Sequence, residues 1–288
     1  MLRRTLPVTA RNLRRRAAVK TLLICQHDEP LNRIGAARWL ASFSELVGIV
    51  EIHEPAERQW RRIRRELRRV GPVRFFDVLA YRVFQRLMLV AQERAWEARE
   101  LERLCDVYPP LSAETPVLET ASVNSVEVAD FIRKRAPDVV LARCKSLLRK
   151  ELFELPARGT FVLHPGICPE YRNAHGCFWA LAADDLDKVG ATLLQVDSGV
   201  DTGPVYGYFG YAYDEVAESP FVIQSRVVFE NLDAIAQTLL AVAEGRAARL
   251  DTSSRPSGTW GQPWLTAYLR WKQRARRRRR ESACAAVP

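Results

Sequence analysis

The chain has 288 residues, 48% hydrophobic and 27% charged, a balance that suits one large or two small soluble domains with a sizeable core. No apolar run approaches the roughly 20 residues of a membrane span, which argues against a transmembrane protein. Forty-four Lys and Arg against 34 Asp and Glu leave a net charge of +10, with the excess clustered at Arg3–Arg16, Arg58–Arg74 and Arg274–Arg280; such clusters suit an anionic ligand, a nucleic acid or an acidic membrane surface, and equally form solvated helix faces.

Residues 1–18 read as a basic extension. Lys20–Gln26 (KTLLICQ) is a continuous apolar run, the pattern of a strand buried on both faces. Asn32–Leu46 places Ile34, Ala37, Leu40 and Ala41 at helical spacing, and Val47–Ile52 is strand-like again, so a βαβ unit and a parallel sheet are expected. The first turn, QHDEPLNR, holds neither Gly-x-Gly-x-x-Gly nor a Walker sequence, which counts against a nucleotide-binding protein. Residues 55–108 predict an inserted helical hairpin. Trp60, Ile63, Leu67 and Val70 form an apolar stripe among arginines, and after Gly71-Pro72 a longer helix carries a broad apolar face. Packing on the domain is the expectation, with a membrane surface or an acceptor as the rival occupant of that face.

Pro116–Leu118, Asp138–Cys144 (DVVLARC) and Gly159–His164 read as further strands, with helices at Ser125–Arg135 and Ser146–Leu155. The pattern is α/β, a Rossmann-like doubly wound and mostly parallel sheet with helices on both faces, where ligands sit beyond the carboxyl ends of the strands. This domain spans 19–214. Residues 215–288 add a C-terminal helical extension: a helix over Pro220–Glu244, a Ser-Pro-Gly-rich linker, then a basic helix and tail. Six cysteines with no Cys-x-x-Cys pair predict a reducing, cytoplasmic setting.

The chemistry concentrates in Gly159–Tyr206. A strand ends in His164-Pro-Gly, followed by Pro169-Glu-Tyr-Arg-Asn-Ala-His and then by Val196-Asp-Ser-Gly-Val-Asp-Thr-Gly-Pro. Over about Asp138–Tyr206 this resembles the 10-formyltetrahydrofolate-dependent formyltransferase family. Formyl transfer to an amine requires removal of a proton, stabilisation of an oxyanion and close placement of donor and acceptor. The resemblance implies that His164 and Asp201 carry the proton and charge chemistry. It also implies a slot for the folate donor between Ser146, Leu147 and Leu148 on one loop and Asp197, Ser198, Gly199 and Val200 on the other.

The sequence departs from the family at Val162, where an asparagine amide is expected two residues before the histidine. An apolar group there removes one oxyanion donor, a loss typically worth on the order of 10²- to 10³-fold in rate. Asn173 and His175, in the loop opposite, are the candidate replacements, with an ordinary helix N-cap as the plain alternative for Asn173. Hydrolysis of the donor, or a non-catalytic folate-binding role, follows if nothing replaces the amide. The expected acceptor is a small amine, anionic or sugar-linked. Methionyl-tRNA is disfavoured by the short chain after Arg249, and the oligomeric state is not readable. Zinc at His164, Cys168, His175 and Cys177 lacks paired spacing, so no metal is expected; a Cys168 or Cys177 nucleophile with His175 is a further alternative.

Overall fold

The computed structural model describes residues 19–54 and 56–285, with the backbone alone at 56–67 and 285. The basic extension at 1–18 and the stripe of Trp60, Ile63 and Leu67 therefore lie outside the described residues and side chains. β1 (Lys20–Gln26), β2 (Glu45–Ile52), β3 (Val117–Thr120), β4 (Val139–Arg143) and β5 (Thr160–His164) pair in parallel; β7 (Ala191–Gln195) and β8 (Val205–Phe209) follow antiparallel. The sheet order is β3-β2-β1-β4-β5-β7-β8, so the expected mostly parallel α/β sheet is what forms.

The continuous apolar runs are explained by burial on both faces. In β1, Leu23 and Cys25 join the larger core, with α1 (Ala37–Phe43) and α6 (Gly176–Ala183), while Leu22 and Ile24 meet Val128 and Ile132 of α4 (Val126–Arg135) on the opposite face. Ser125 caps α4 by accepting from the Val128 N–H, which satisfies one of the helix's orphan donors.

The insertion comprises α2 (Ala56–Phe84), a wide turn at Gln85–Leu89, and α3 (Val90–Val107). Gly71, at φ 76° and ψ 167°, breaks α2, a conformation that costs glycine little. Its packing is two-sided. Tyr81 is buried against Phe178 and against Tyr268 of α9 (Leu265–Ala285), whereas Val73, Phe76, Leu87 and Met88 face outward, Val73 at 86% exposure. The expected internal packing accordingly holds for one face of the helix.

Two differences from the sequence reading involve the C-terminal part. The single helix expected over Pro220–Glu244 is broken at Glu230-Asn231 into α7 (Pro220–Phe229) and α8 (Leu232–Ala243), and Asn231 Nδ2 donates to the Val227 and Gly210 carbonyls at the break. The Ser-Pro-Gly segment is a packed strap: its β9 (Thr259–Trp260) pairs with β6 (Arg172–Asn173). Beyond it, α9 buries Tyr268 and Trp271, and its Arg274, Arg278 and Arg279 pair with Asp184, Glu215 and Asp214. Part of the basic cluster is thus internally neutralised.

Leu104 of α3 is fully buried, and a Cβ built on Gly35 would lie 2.6 Å from its Cδ1. Leu104→Ala is expected to lower unfolding stability by about 2–5 kcal/mol in urea titration; a change under about 1 kcal/mol would mean that the insertion is not part of the core.

Candidate active site

His164 ends β5, paired with Thr192 on β7, and is 6% exposed. Its Nε2–H donates to the Tyr171 carbonyl at 2.7 Å. Its Nδ1 lies 3.4 Å from Asp201 Oδ2, close enough for charge attraction and long for a strong hydrogen bond. With Nε2 committed to that donation, Nδ1 is the ring nitrogen left facing the carboxylate. Asp201 is itself oriented: its φ is +51°, and Oδ2 accepts the Asn173 backbone N–H at 2.8 Å.

The loop after His164 turns tightly because no side chain intervenes. A Cβ on Gly166 would sit 2.6 Å from the Tyr171 carbonyl oxygen and 2.7 Å from His164 Nε2. Thr192 fastens this loop, donating to the Gly166 carbonyl at 2.6 Å and accepting the Cys168 N–H at 3.0 Å.

In front of His164 lies a cavity of about 320 Å³, at the small end of the range for ligand pockets. Residues 146–148 form one wall and residues 197–201 the other, with Val162 and Leu194 at the back. All ten site residues expected from the sequence border this one cavity. Asp197 shapes the second wall by accepting from the Gly199 N–H and the Thr202 hydroxyl, and Arg172 donates to the Val200 carbonyl.

Asn173 loses its plain alternative. It is not an N-cap: α6 starts at Gly176, behind His175 at φ +56°. Its side-chain amide donates one N–H to the Trp260 carbonyl, and its backbone N–H orients Asp201. The cysteine-nucleophile alternative fails on burial. Cys177 is fully buried with its thiol pushed up to about 12 by desolvation, and burial together with Asp201 raises Cys168; a thiolate is therefore disfavoured at both.

The sequence reading missed the far rim of the cavity: Glu29, Asn32, Arg143 and Lys145. Arg143 Nε donates to Asn32 Oδ1 at 3.0 Å and its Nη1 to the Leu163 carbonyl. Asn32 donates to Glu29 at 2.7 Å, and Glu29 pairs with Lys145 at 2.7 Å. Desolvation pulls the Arg143 guanidinium below its usual pKa, and Glu29 works against that. The available signal was a cation ending the apolar run DVVLARC at the carboxyl edge of the sheet.

Residues 85–209 match the family described as formyl transferase. The methionyl-tRNA formyltransferase of Sorangium cellulosum is 34% identical over 129 residues, 42% of this chain and 41% of the relative. That of Myxococcus xanthus is 38% identical over 96 residues, 33% and 30% of the two chains. The matched regions thus span less than half the length of these relatives. Among solved structures, a sugar N-formyltransferase from Shewanella shares the fold with TM-score 0.50 at 12% identity, covering 88% of this chain and 87% of that one. A 4-N formyltransferase from Francisella tularensis gives TM-score 0.50 at 11% identity, covering 89% and 87%.

Gly166→Ala is expected to drive the Tyr171 carbonyl off His164 and to cost about 1–3 kcal/mol from overpacking. Imidazole ¹⁵N NMR checks it: the parent ring should show a protonated Nε2, and an unchanged His164 signal in the variant would contradict the contact.

Proposed function

We propose that the cavity of this chain, whose residues 85–209 match the formyl transferase family, transfers the formyl group of 10-formyltetrahydrofolate to the amine of a small, anionic or sugar-linked acceptor. The observation that carries this reading is the pair of buried His164 and half-buried Asp201 at the cavity between the two expected donor loops. The walls fit a reduced pterin head. They combine apolar Leu148, Val162 and Leu194 with the backbone-rich 197–200 turn, the mixture of apolar lining and few polar groups usual for such ligands.

When bound, the donor supplies an electrophilic formyl carbon and a leaving amine. His164, held by Tyr171, handles the proton at Nδ1, and Asp201 stabilises the charged ring. Asn173 is a positioning residue for Asp201. Val162 offers no hydrogen-bond donor, and Arg143, next to the Ala142 that pairs with Val162, supplies the positive charge on that side of the cavity. Cationic Arg143 and Lys145 at the rim favour an acceptor with negative charge.

The family relatives named for methionyl-tRNA and the fold relatives named for sugars motivate testing both acceptor types. Purified protein with 10-formyltetrahydrofolate and a panel of nucleotide-linked amino sugars, phosphorylated amines and methionyl-tRNA should release tetrahydrofolate only with its acceptor. Release without any amine would favour hydrolysis; no release with any of them would favour a folate-binding protein, the second reading that Val162 supports. His164→Ala and Asp201→Asn are expected to lower kcat by about 10²- to 10⁴-fold while leaving donor binding intact, as read by single-turnover assay and equilibrium dialysis. Val162→Asn restores an amide and is expected to raise kcat by up to about 10²-fold. An unchanged kcat would mean that Arg143 already fills the role.

A further inference from the structure

We propose that His27, Glu51, His53 and Glu119 form a binding site for one divalent transition-metal ion of the zinc class, on the carboxyl edge of the sheet and apart from the donor cavity. Register puts the four side chains on one face. Cys25, Glu51 and Glu119 stand in one row across β1, β2 and β3. The ladder then continues two residues further, since the His27 N–H donates to the Ile52 carbonyl at 3.1 Å and the His53 N–H to the Thr120 carbonyl at 2.8 Å. His27 and His53 therefore emerge side by side above Glu51, held by sheet hydrogen bonds instead of a free loop.

The side chains converge as that register requires. His27 Nδ1 lies 2.8 Å from Glu51 Oε2, and His53 Nε2 lies 3.2 Å from Glu119 Oε2. The two imidazoles stack with centroids 4.0 Å apart. One ligand atom from each of His27, Glu51 and His53 falls within 4.8 Å of the others. A tetrahedral ion with bonds of about 2.0 Å wants ligand atoms about 3.3 Å apart, so side-chain movements of up to about 1.5 Å close this set of three, with Glu119 reached through His53. The imidazoles, 43% and 42% exposed at the side chain, have that freedom, while the Glu51 side chain is 10% exposed and fixed. A buried carboxylate is normally paired or bound to a metal, and two imidazoles with carboxylates select zinc, nickel, cobalt or iron over magnesium or calcium.

Half of the chain's four histidines meet here. Sequence spacing hides the site, because its ligands come from three separate strands and make no local motif. None of the four borders the donor cavity, although Glu29 and Asn32 on the loop just after His27 do. Metal binding can therefore be read independently of formyl transfer.

The test uses the full chain without a polyhistidine tag, stripped by chelator and titrated with Co²⁺ at pH 7.5, with Zn²⁺ as competitor. One Co²⁺ per chain with visible ligand-field absorption, displaced by Zn²⁺, is expected. His27→Ala, His53→Ala and Glu51→Gln should each weaken binding at least tenfold, the lower end of what even outer-shell changes cost (~10- to 100-fold), while His175→Asn leaves it unchanged. On the parent protein, Zn²⁺ should protect His27 and His53 from diethyl pyrocarbonate, read by mass spectrometry. Equal affinity in the parent and in His27→Ala and His53→Ala, or equal modification with and without Zn²⁺, overturns the proposal.

Discussion

The short contact between His164 Nε2 and the Tyr171 carbonyl is the constraint on which the candidate site depends. It decides which ring nitrogen remains available for proton chemistry, and it holds Nδ1 toward Asp201. The contact exists only because Gly166 and Gly176 let two backbone segments meet: a Cβ on Gly176 would come within 2.5 Å of Gly166 Cα. Any side chain at either position would open the turn and release the histidine.

The carbonyl is in turn held from behind. Tyr171 stacks on Trp260, Trp260 on Trp179, and Trp264 meets Trp179 edge-on with the Arg74 guanidinium over its face. Hydrogen bonds from Gly258 to Pro169, Trp260 to Glu170 and Trp179 to Gly261 tie the strap to the loop, and Arg255 grips Glu170 with two nitrogens. A segment far along the chain thus stabilises the turn after His164, and the insertion reaches the same stack through Arg74. The C-terminal part is better regarded as the outer wall of the site than as an appendage.

What was legible in the sequence follows from how locally each feature is encoded. The strands were readable because a strand buried on both faces must be a continuous apolar run, as KTLLICQ and DVVLARC are. The turns that carry His164 and Asp201 were readable because a Gly-Pro-rich neighbourhood marks sharp turns, whereas the roles expected of the two residues came from the family resemblance. The strap was not, since Ser, Pro and Gly mark the absence of regular structure but say nothing of what the backbone contacts 80 or more residues away. Asn173 misled for the same reason: its amide has an N-cap's chemistry, yet its partner is the remote Trp260 carbonyl. The helix break at Glu230-Asn231 escaped notice because the apolar periodicity runs through it.

Val162 acquires a physical setting from these contacts. It pairs with Ala142 on one side and Leu194 on the other, and packs with Cys168, Leu194, Val205 and Tyr208 as well as with the second core. That is an apolar wall shared by the cavity and the sheet, where an amide would need its hydrogen-bond partner from the ligand alone. Arg143 sits one residue beyond Ala142, already anchored to Asn32 and the Leu163 carbonyl. A guanidinium carries five N–H donors, so two anchoring bonds leave others for a ligand. The cavity thus has an apolar side chain at Val162 on β5 and an anchored cation at the end of β4, so positive charge on this side comes from the strand next to the one that carries His164.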